Sequence, residues 1–142
     1  VRRISETLSS PFSYQLAFSV DRQFPFKTKL AATFLWSENL LQTGIRNINA
    51  PICPPLQTCS STSPRPNPSE GHIYLYESIG NLNQQQIVIN FNSNALKGLS
   101  LNGNYRFGFT KSNIDGSGSF PSYSYDLDSD YGTASSDIRH SF

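Results

Sequence analysis

The sequence has 142 residues, enough for one ordinary domain or part of one, with 37% hydrophobic residues and a formal net charge of +1; it is neither collagen-like nor of the low-hydrophobicity, high-charge kind that stays unfolded. A balance of 11 Lys and Arg against 10 Asp and Glu supplies no overall basic field for nucleic acid or an anionic membrane surface. The best apolar run, Leu30 to Trp36, falls far short of the roughly 18 residues a spanning helix needs, but a barrel strand crosses a bilayer in about 9 to 11 residues, of which only alternate ones are apolar.

The chain opens on Val1 without a basic n-region and apolar h-region behind it, and its last residues, Arg139-His140-Ser141-Phe142, read as the start of a strand. Both ends are read as cuts through a longer protein. From Phe12 to Asp21 the alternation is unbroken, with Phe12, Tyr14, Leu16, Phe18 and Val20 on one side and Ser13, Gln15, Ala17, Ser19 and Asp21 on the other; a two-residue period predicts a strand. After a short turn at about 23–28, centred on Pro25, Leu30, Ala32, Phe34 and Trp36 face one way and Lys29, Ala31, Thr33, Leu35 and Ser37 the other. These two strands should form a hairpin.

A long loop is predicted over about 43–71, because runs such as Pro54-Pro55 and Pro64-Arg65-Pro66-Asn67-Pro68 remove ladder donors. Its two cysteines, Cys53 and Cys59, match no close zinc-ligand pair. A local disulfide is the favoured reading, two free thiols the other, and the former would imply an oxidising compartment. Pattern returns at Ile73 to Tyr76 and at Gln86 to Asn92, where Ile87, Ile89 and Phe91 alternate with Val88, Asn90 and Asn92. If this third strand ran unbroken from Ile73, then Glu77, Asn81, Asn83 and Gln85 would share parity with Ile87, so its upper half would have to stand above the membrane. A short turn at about 93–98 leads into Leu99 to Thr110, in which Leu99, Leu101, Gly103, Tyr105, Phe107 and Phe109 oppose Ser100, Asn102, Asn104, Arg106, Gly108 and Thr110. A second long loop, about 111–137, precedes a fifth strand near Ile138.

Connections that alternate short and long, joining strands of about 10 residues, are the layout of a transmembrane barrel. The predicted fold is therefore all-β, an antiparallel meander of four to five long strands forming a segment of a large transmembrane β-barrel, with residues 1–142 as one partial barrel domain. The predicted lipid-facing set is Phe12, Tyr14, Leu16, Phe18, Val20, Leu30, Phe34, Trp36, Ile87, Ile89, Phe91, Leu101, Tyr105, Phe107 and Phe109. Asp21, Lys29 and Arg106 share parity with the polar face, whereas Arg22 and Glu38 share parity with the apolar face but lie at strand ends, where a charge costs little.

The segments Ser10-Pro11-Phe12-Ser13-Tyr14-Gln15-Leu16, Arg46-Asn47-Ile48-Asn49-Ala50-Pro51, Tyr76-Glu77-Ser78, Asn83-Gln84-Gln85-Gln86-Ile87-Val88-Ile89-Asn90-Phe91-Asn92, Asp115-Gly116-Ser117-Gly118-Ser119-Phe120-Pro121 and Ser136-Asp137-Ile138-Arg139-His140 occur in this order. Together they resemble the barrel of TonB-dependent receptor-like outer-membrane proteins with an N-terminal carboxypeptidase-regulatory-like domain, the Oar-like group. The resemblance covers nearly the whole chain, loops as well as strands; the insert from Cys53 to Cys59 departs from it. It implies a barrel of usually about 22 strands, a plug, and a contact with the TonB complex through regions outside this sequence. Energy-coupled import of an unidentified substrate follows from the resemblance, and some members are loosely assigned to adhesion or secretion.

Other chemistry is weakly signalled. Asp126, Asp128 and Asp130 have the spacing of an EF-hand start, but Tyr131 stands where Gly is needed, so a solvated acidic loop is the reading. His72 and His140 have no metal-binding partner at helical spacing, no nucleophile elbow is present, and Gly116-Ser117-Gly118 lacks the Lys of a phosphate loop. No catalytic residue, metal or cofactor is expected, and the chain is not read as an enzyme. Tyr74, Tyr76, Tyr123 and Tyr125 are candidate contacts for a small-molecule or glycan ligand, since amphipathic rings suit wet binding surfaces; the alternative is that they pack the loops or join an aromatic girdle. Outer-membrane lipid is the other expected partner. The competing reading of the whole is a secreted or surface β-sandwich adhesin, which alternating strands and a loop disulfide would also suit.

Overall fold

A computed structural model describes residues 1–53, 58–60, 62–96 and 98–142; Pro54 and Pro55, named above as ladder breakers, lie outside them. The strands are β1 (Arg2–Ile4), β2 (Phe12–Phe24), β3 (Thr28–Asn47), β4 (Tyr74–Leu96), β5 (Leu99–Ser112), β6 (Gly132–Thr133) and β7 (His140–Ser141). They form one sheet in the order β2-β3-β4-β5-β6, with β7 also on β5 and β1 on β4. All pairings are antiparallel except β1 with β4. The meander arises because each alternating segment is followed by a turn too short for anything but a return on the neighbouring edge.

The two tight turns lie side by side. Phe24 pairs with Thr28 across Pro25, Phe26 and Lys27, and Phe26 and Lys27 both adopt positive φ, at 63° and 55°, a conformation costing L-residues about 1 to 2 kcal/mol each. Gly98, at φ 80°, takes the same region in the second turn without that cost. A hydroxyl pair, Thr28 Oγ1 to Ser93 Oγ at 2.8 Å, and a bond from Asn94 N to Lys27 O at 3.3 Å tie the two turns together.

Register turns the alternation of single strands into a two-sided sheet. Phe18 stands opposite Phe34, Phe34 opposite Ile87, Ile87 opposite Phe107 and Phe107 opposite His140, while Leu16, Trp36, Gln85 and Phe109 form the next row. Among the described residues no second sheet covers this side: Leu16 is 59% and Phe18 65% exposed. Burying each such side chain is worth about 1.5 to 3 kcal/mol, so a sheet that leaves whole rows of them open is made for a non-aqueous surrounding. The second layer that a β-sandwich requires is missing from the described residues, and the buried apolar side chains Ile45, Ile73, Ile114 and Ala134 all lie at or beyond the long-connection end of the sheet.

The apolar band does not run level with the register. On β2 the run Phe12–Val20 is centred on Leu16; on β5 the run Leu101–Phe109 is centred on Tyr105, whose register line passes through Ile89 and Ala32 to Val20. The centre slides by about 14 Å along the strands, at ~3.4 Å per residue, over three strand spacings that also total about 14 Å. A level lipid slab crossed by strands tilted at about 45° gives this slide, and transmembrane barrels have that tilt.

The bounds of four predicted connections are corrected. The loop placed at about 43–71 lies at 48–73, because β3 continues to Asn47 and β4 begins at Tyr74; at its start apolar alternation fades while the backbone ladder continues, since above the lipid neither face has to be greasy. For the same reason the loop placed at about 111–137 starts after Ser112, and it contains β6 and a 3₁₀ turn at Asp128–Asp130. The turn placed at about 23–28 shrinks to 25–27, and that placed at about 93–98 gives way to β4, which runs to Leu96, with Gly98 in the turn before β5. β1 carries no periodic signal in three residues and was not expected. The third strand is unbroken, 23 residues long, and its upper half pairs with that of β3 through a bulged region where Leu41 has φ 57°. At ~3.4 Å per residue and a tilt near 40°, such a strand reaches about 60 Å along the axis against a lipid band of about 25 Å.

A charge scan tests the two faces. Phe18→Lys or Phe34→Lys in the full-length protein should cost about 2 to 4 kcal/mol of folding stability in lipid vesicles, and Ser19→Lys or Thr33→Lys, one position along, about 1 kcal/mol or less. Denaturant titration in the vesicles measures both, and equal penalties on the two faces would refute the lipid-facing assignment.

Candidate functional site

Two regions hold the side chains that could meet a solute. The first is the polar side of the sheet, where strand alternation places Ser13, Gln15, Ser19, Asp21 and Gln23 of β2 beside the matching residues of β3, β4 and β5. Its members bond across strands: Ser19 Oγ to Thr33 Oγ1 at 2.9 Å, Asn104 Nδ2 to Asn90 Oδ1 at 2.6 Å, and Asn92 Nδ2 to Asn102 Oδ1. A groove of about 720 Å³ lies among Asp21, Gln23, Lys29, Asn90, Asn92 and Asn102 near the tight turns. Its amides, with Asp21 set against Lys29 and Arg22, suit hydrogen-bonding solutes or a protein surface; they hold no nucleophile with a base beside it.

The second region is the cap formed by the two long connections and the upper halves of β3 and β4. Asn49 is its anchor, 1% exposed. Its Nδ2 points at the carbonyls of Asn67, Glu70 and Gly71 at 3.0, 3.0 and 2.8 Å, and its Oδ1 accepts from Asn67 N at 2.8 Å. Asn47 Oδ1 accepts from the backbone of Asn49 and Ile73, so two asparagines fold the connection back on itself. Arg46 and Glu77 form a bidentate pair at 3.0 and 2.8 Å, the geometry that gives an ion pair its specificity.

The later connection docks onto this ribbon. Ile114 packs so close to Gly80 that a Cβ there would come within 2.1 Å of its Cδ1, so glycine is required by proximity. Asn113 bonds Asn81 through Asn113 N to Asn81 O at 3.2 Å and Asn81 N to Asn113 Oδ1 at 2.7 Å. The phenols Tyr123 and Tyr125 donate to Cys53 O and Ala50 O at 2.8 and 2.7 Å, joining the two connections. Burial first, then the neighbouring Tyr123, raises the Tyr125 phenol above its ordinary pKa, which keeps it a donor at neutral pH. Tyr74 lies between the stacked ring of His72 and the edge-on ring of Phe120, and Tyr76 pairs in β4 with Ile45 and Ile4.

Of the residues singled out from sequence, the structure brings Tyr123 and Tyr125 together with Cys53, which is bonded to Cys59 with a Cα separation of 5.7 Å. Asp126 and Asp130 do not converge: Asp126 Oδ1 accepts from Ser129 N, and Asp130 takes the amide and hydroxyl of Ser122. Gly116, at φ 116°, turns the chain so that Ser119 N reaches Gly116 O, a closed loop in place of a phosphate cradle. Asp137 accepts from Thr110 N and Arg139 Nε at 2.6 Å each, and the Arg139 guanidinium beside it holds its carboxyl below the usual carboxylate range. Among the described residues no group of three His, Cys, Asp or Glu side chains could hold a metal ion. Asn49, Arg46 and Asn113 were missed as architectural residues, because a single polar side chain has no periodic signature.

A family model described as an outer membrane beta barrel domain matches residues 1–142. No curated protein and no solved structure matches the chain.

Asn49→Ala should loosen the 48–73 connection by about 1 to 3 kcal/mol, the cost of stranding its buried partners. Limited proteolysis of the full-length protein in mild detergent should then cut this connection roughly tenfold faster or more, since cleavage tracks the open population. Unchanged cleavage would show that Asn49 is not the anchor.

Proposed function

The chain belongs to the outer membrane beta barrel domain family, which places it in the outer membrane, and from that premise we propose that it forms part of the wall and cap of a TonB-dependent receptor that imports a solute by energy coupling. The observation that carries this reading is the one-layered sheet whose exposed apolar rows face one way and whose amide-rich rows face the other. A sheet of this kind suits a wall between lipid and a polar lumen. Energy coupling is supported by the resemblance of the ordered segments from Ser10 to His140 to the Oar-like group, with the plug, the TonB contact and the regulatory-like domain supplied by other parts of the protein.

In this reading the long connections face the cell exterior. The ligand, a small molecule or glycan, meets the rings of Tyr74, Tyr76, Tyr123 and Tyr125, and the chain performs no catalysis. Both Tyr123 and Tyr125 spend their hydroxyls on the neighbouring connection, which leaves their ring faces as the contact surface.

Two measurements on the full-length protein test the proposal. It should migrate faster on gels before boiling than after, and it should bind the purified periplasmic part of TonB, with binding abolished when the TonB-contacting segment is deleted. A heat-shifting barrel that does not bind TonB would remove energy coupling and leave a passive or adhesive barrel.

A further inference from the structure

The lipid-facing side ends differently on β4 and β5 from elsewhere. Just beyond the apolar runs, Asn83 stands opposite Lys111 and Gln85 opposite Phe109, with Gln85 Nε2 turned to Asn83 Oδ1 at 3.4 Å. The Arg139 guanidinium lies over the Phe109 ring, 4.4 Å from its centroid. Gln85, Phe109, Lys111 and Arg139 are all exposed. Phe109 and Lys111, two residues apart on one side of a strand, stand about 7 Å from each other, so the two cations share one patch above one aromatic ring.

One anion offsets part of this charge: Asp137 forms an ion pair with Arg139, Nε to Oδ2 at 2.6 Å. Asp137 is engaged by Thr110 N and by Arg139 Nε alone, which leaves the Nη groups of Arg139 without a protein acceptor among the described residues. Lys111 forms no ion pair among the described residues, and Glu38 is two strands away across Asn83, about 10 Å at ~4.8 Å per strand. A lysine with no ion pair among the described residues, beside an arginine whose Nη groups meet no acceptor there, complements phosphate at headgroup depth on a lipid-facing surface, and flanking amides complement sugar hydroxyls.

We propose that the patch of Asn83, Gln85, Lys111 and Arg139 around Phe109 is a binding site for a phosphate-bearing glycolipid headgroup of the outer leaflet. The site rests on the reading that the long connections face the cell exterior. The near-neutral chain has no long-range field to draw anions, so the specificity is local: Arg139 offers a fork, Lys111 a point charge, and Phe109 fixes the position of the guanidinium.

The test uses full-length protein extracted from outer membranes in mild detergent, with purified lipid A added and native mass spectrometry as the readout; phosphatidylglycerol is the comparison lipid. Wild type should retain lipid A through washing, K111Q/R139Q should retain at least tenfold less, and K111Q, which leaves the Asp137 contacts intact, should show an intermediate loss. Arg2→Gln, an exposed cation on the short β1, should change nothing. Equal retention by wild type and the double variant, or equal retention of phosphatidylglycerol and lipid A, overturns the site. Loss on Arg22→Gln in place of K111Q/R139Q would put the lipid at the other end of the strands and overturn it together with the assumed orientation. The heat-dependent gel shift is followed in every variant, so that a wild-type protein lacking it refutes the barrel itself and a variant lacking it is replaced by K111Q alone.

Discussion

Hydrocarbon offers no hydrogen bonds, and every feature of the strand-bearing part of this chain follows from that. A backbone crossing a bilayer must find all its N–H and C=O partners within the protein, so strands survive there only as members of a ladder that eventually closes. β3 and β4 meet the requirement on both edges over the lipid band, each flanked by a full-length neighbour. Among the described residues β2 pairs only with β3, and β5 is covered beyond β4 by just the short β6 and β7. The outer edge of β2 therefore needs further strands, which the family's barrel architecture supplies.

Once the ladder is fixed, side-chain chemistry has one remaining freedom, which face is greasy, and that is why so much of the fold could be read from residue order. Phe12 through Val20 and Leu99 through Phe109 alternate cleanly because lipid on one side and polar groups on the other leave each position a single type. The slide of the apolar centre from Leu16 to the Val20 line was invisible to that reading, since tilt becomes measurable only when the register between strands is known. The last residues of β3, from Thr43 to Asn47, were read as loop because alternation is imposed by lipid and ends where lipid ends.

The cap obeys a different rule. Water surrounds it, so it is held as a small soluble domain is held, by a few buried apolar residues such as Ile45, Ile73 and Ile114 and by polar side chains that satisfy bent backbone. Asn49 replaces a missing ladder with one amide, and the Arg46–Glu77 pair fastens the ribbon beneath it. These roles depend on which carbonyls happen to converge in space, and no pattern along the chain announces them. The aromatic residues Tyr123 and Tyr125 were visible as candidates by type, while their hydroxyl partners in the other connection required coordinates.

β1 adds an ordering in time. Arg2, Arg3 and Ile4 lie against Tyr74, Leu75 and Tyr76, and Ser9 is held by Ser78, so the opening stretch of the chain is fastened to a strand made much later, on the far side of the hairpin that β2 and β3 build first. That clasp has nothing to grip until β4 is in place, and the many residues between its halves make early closure entropically unfavourable. The end of the sheet that carries the long connections can therefore be completed only once β4 has joined it.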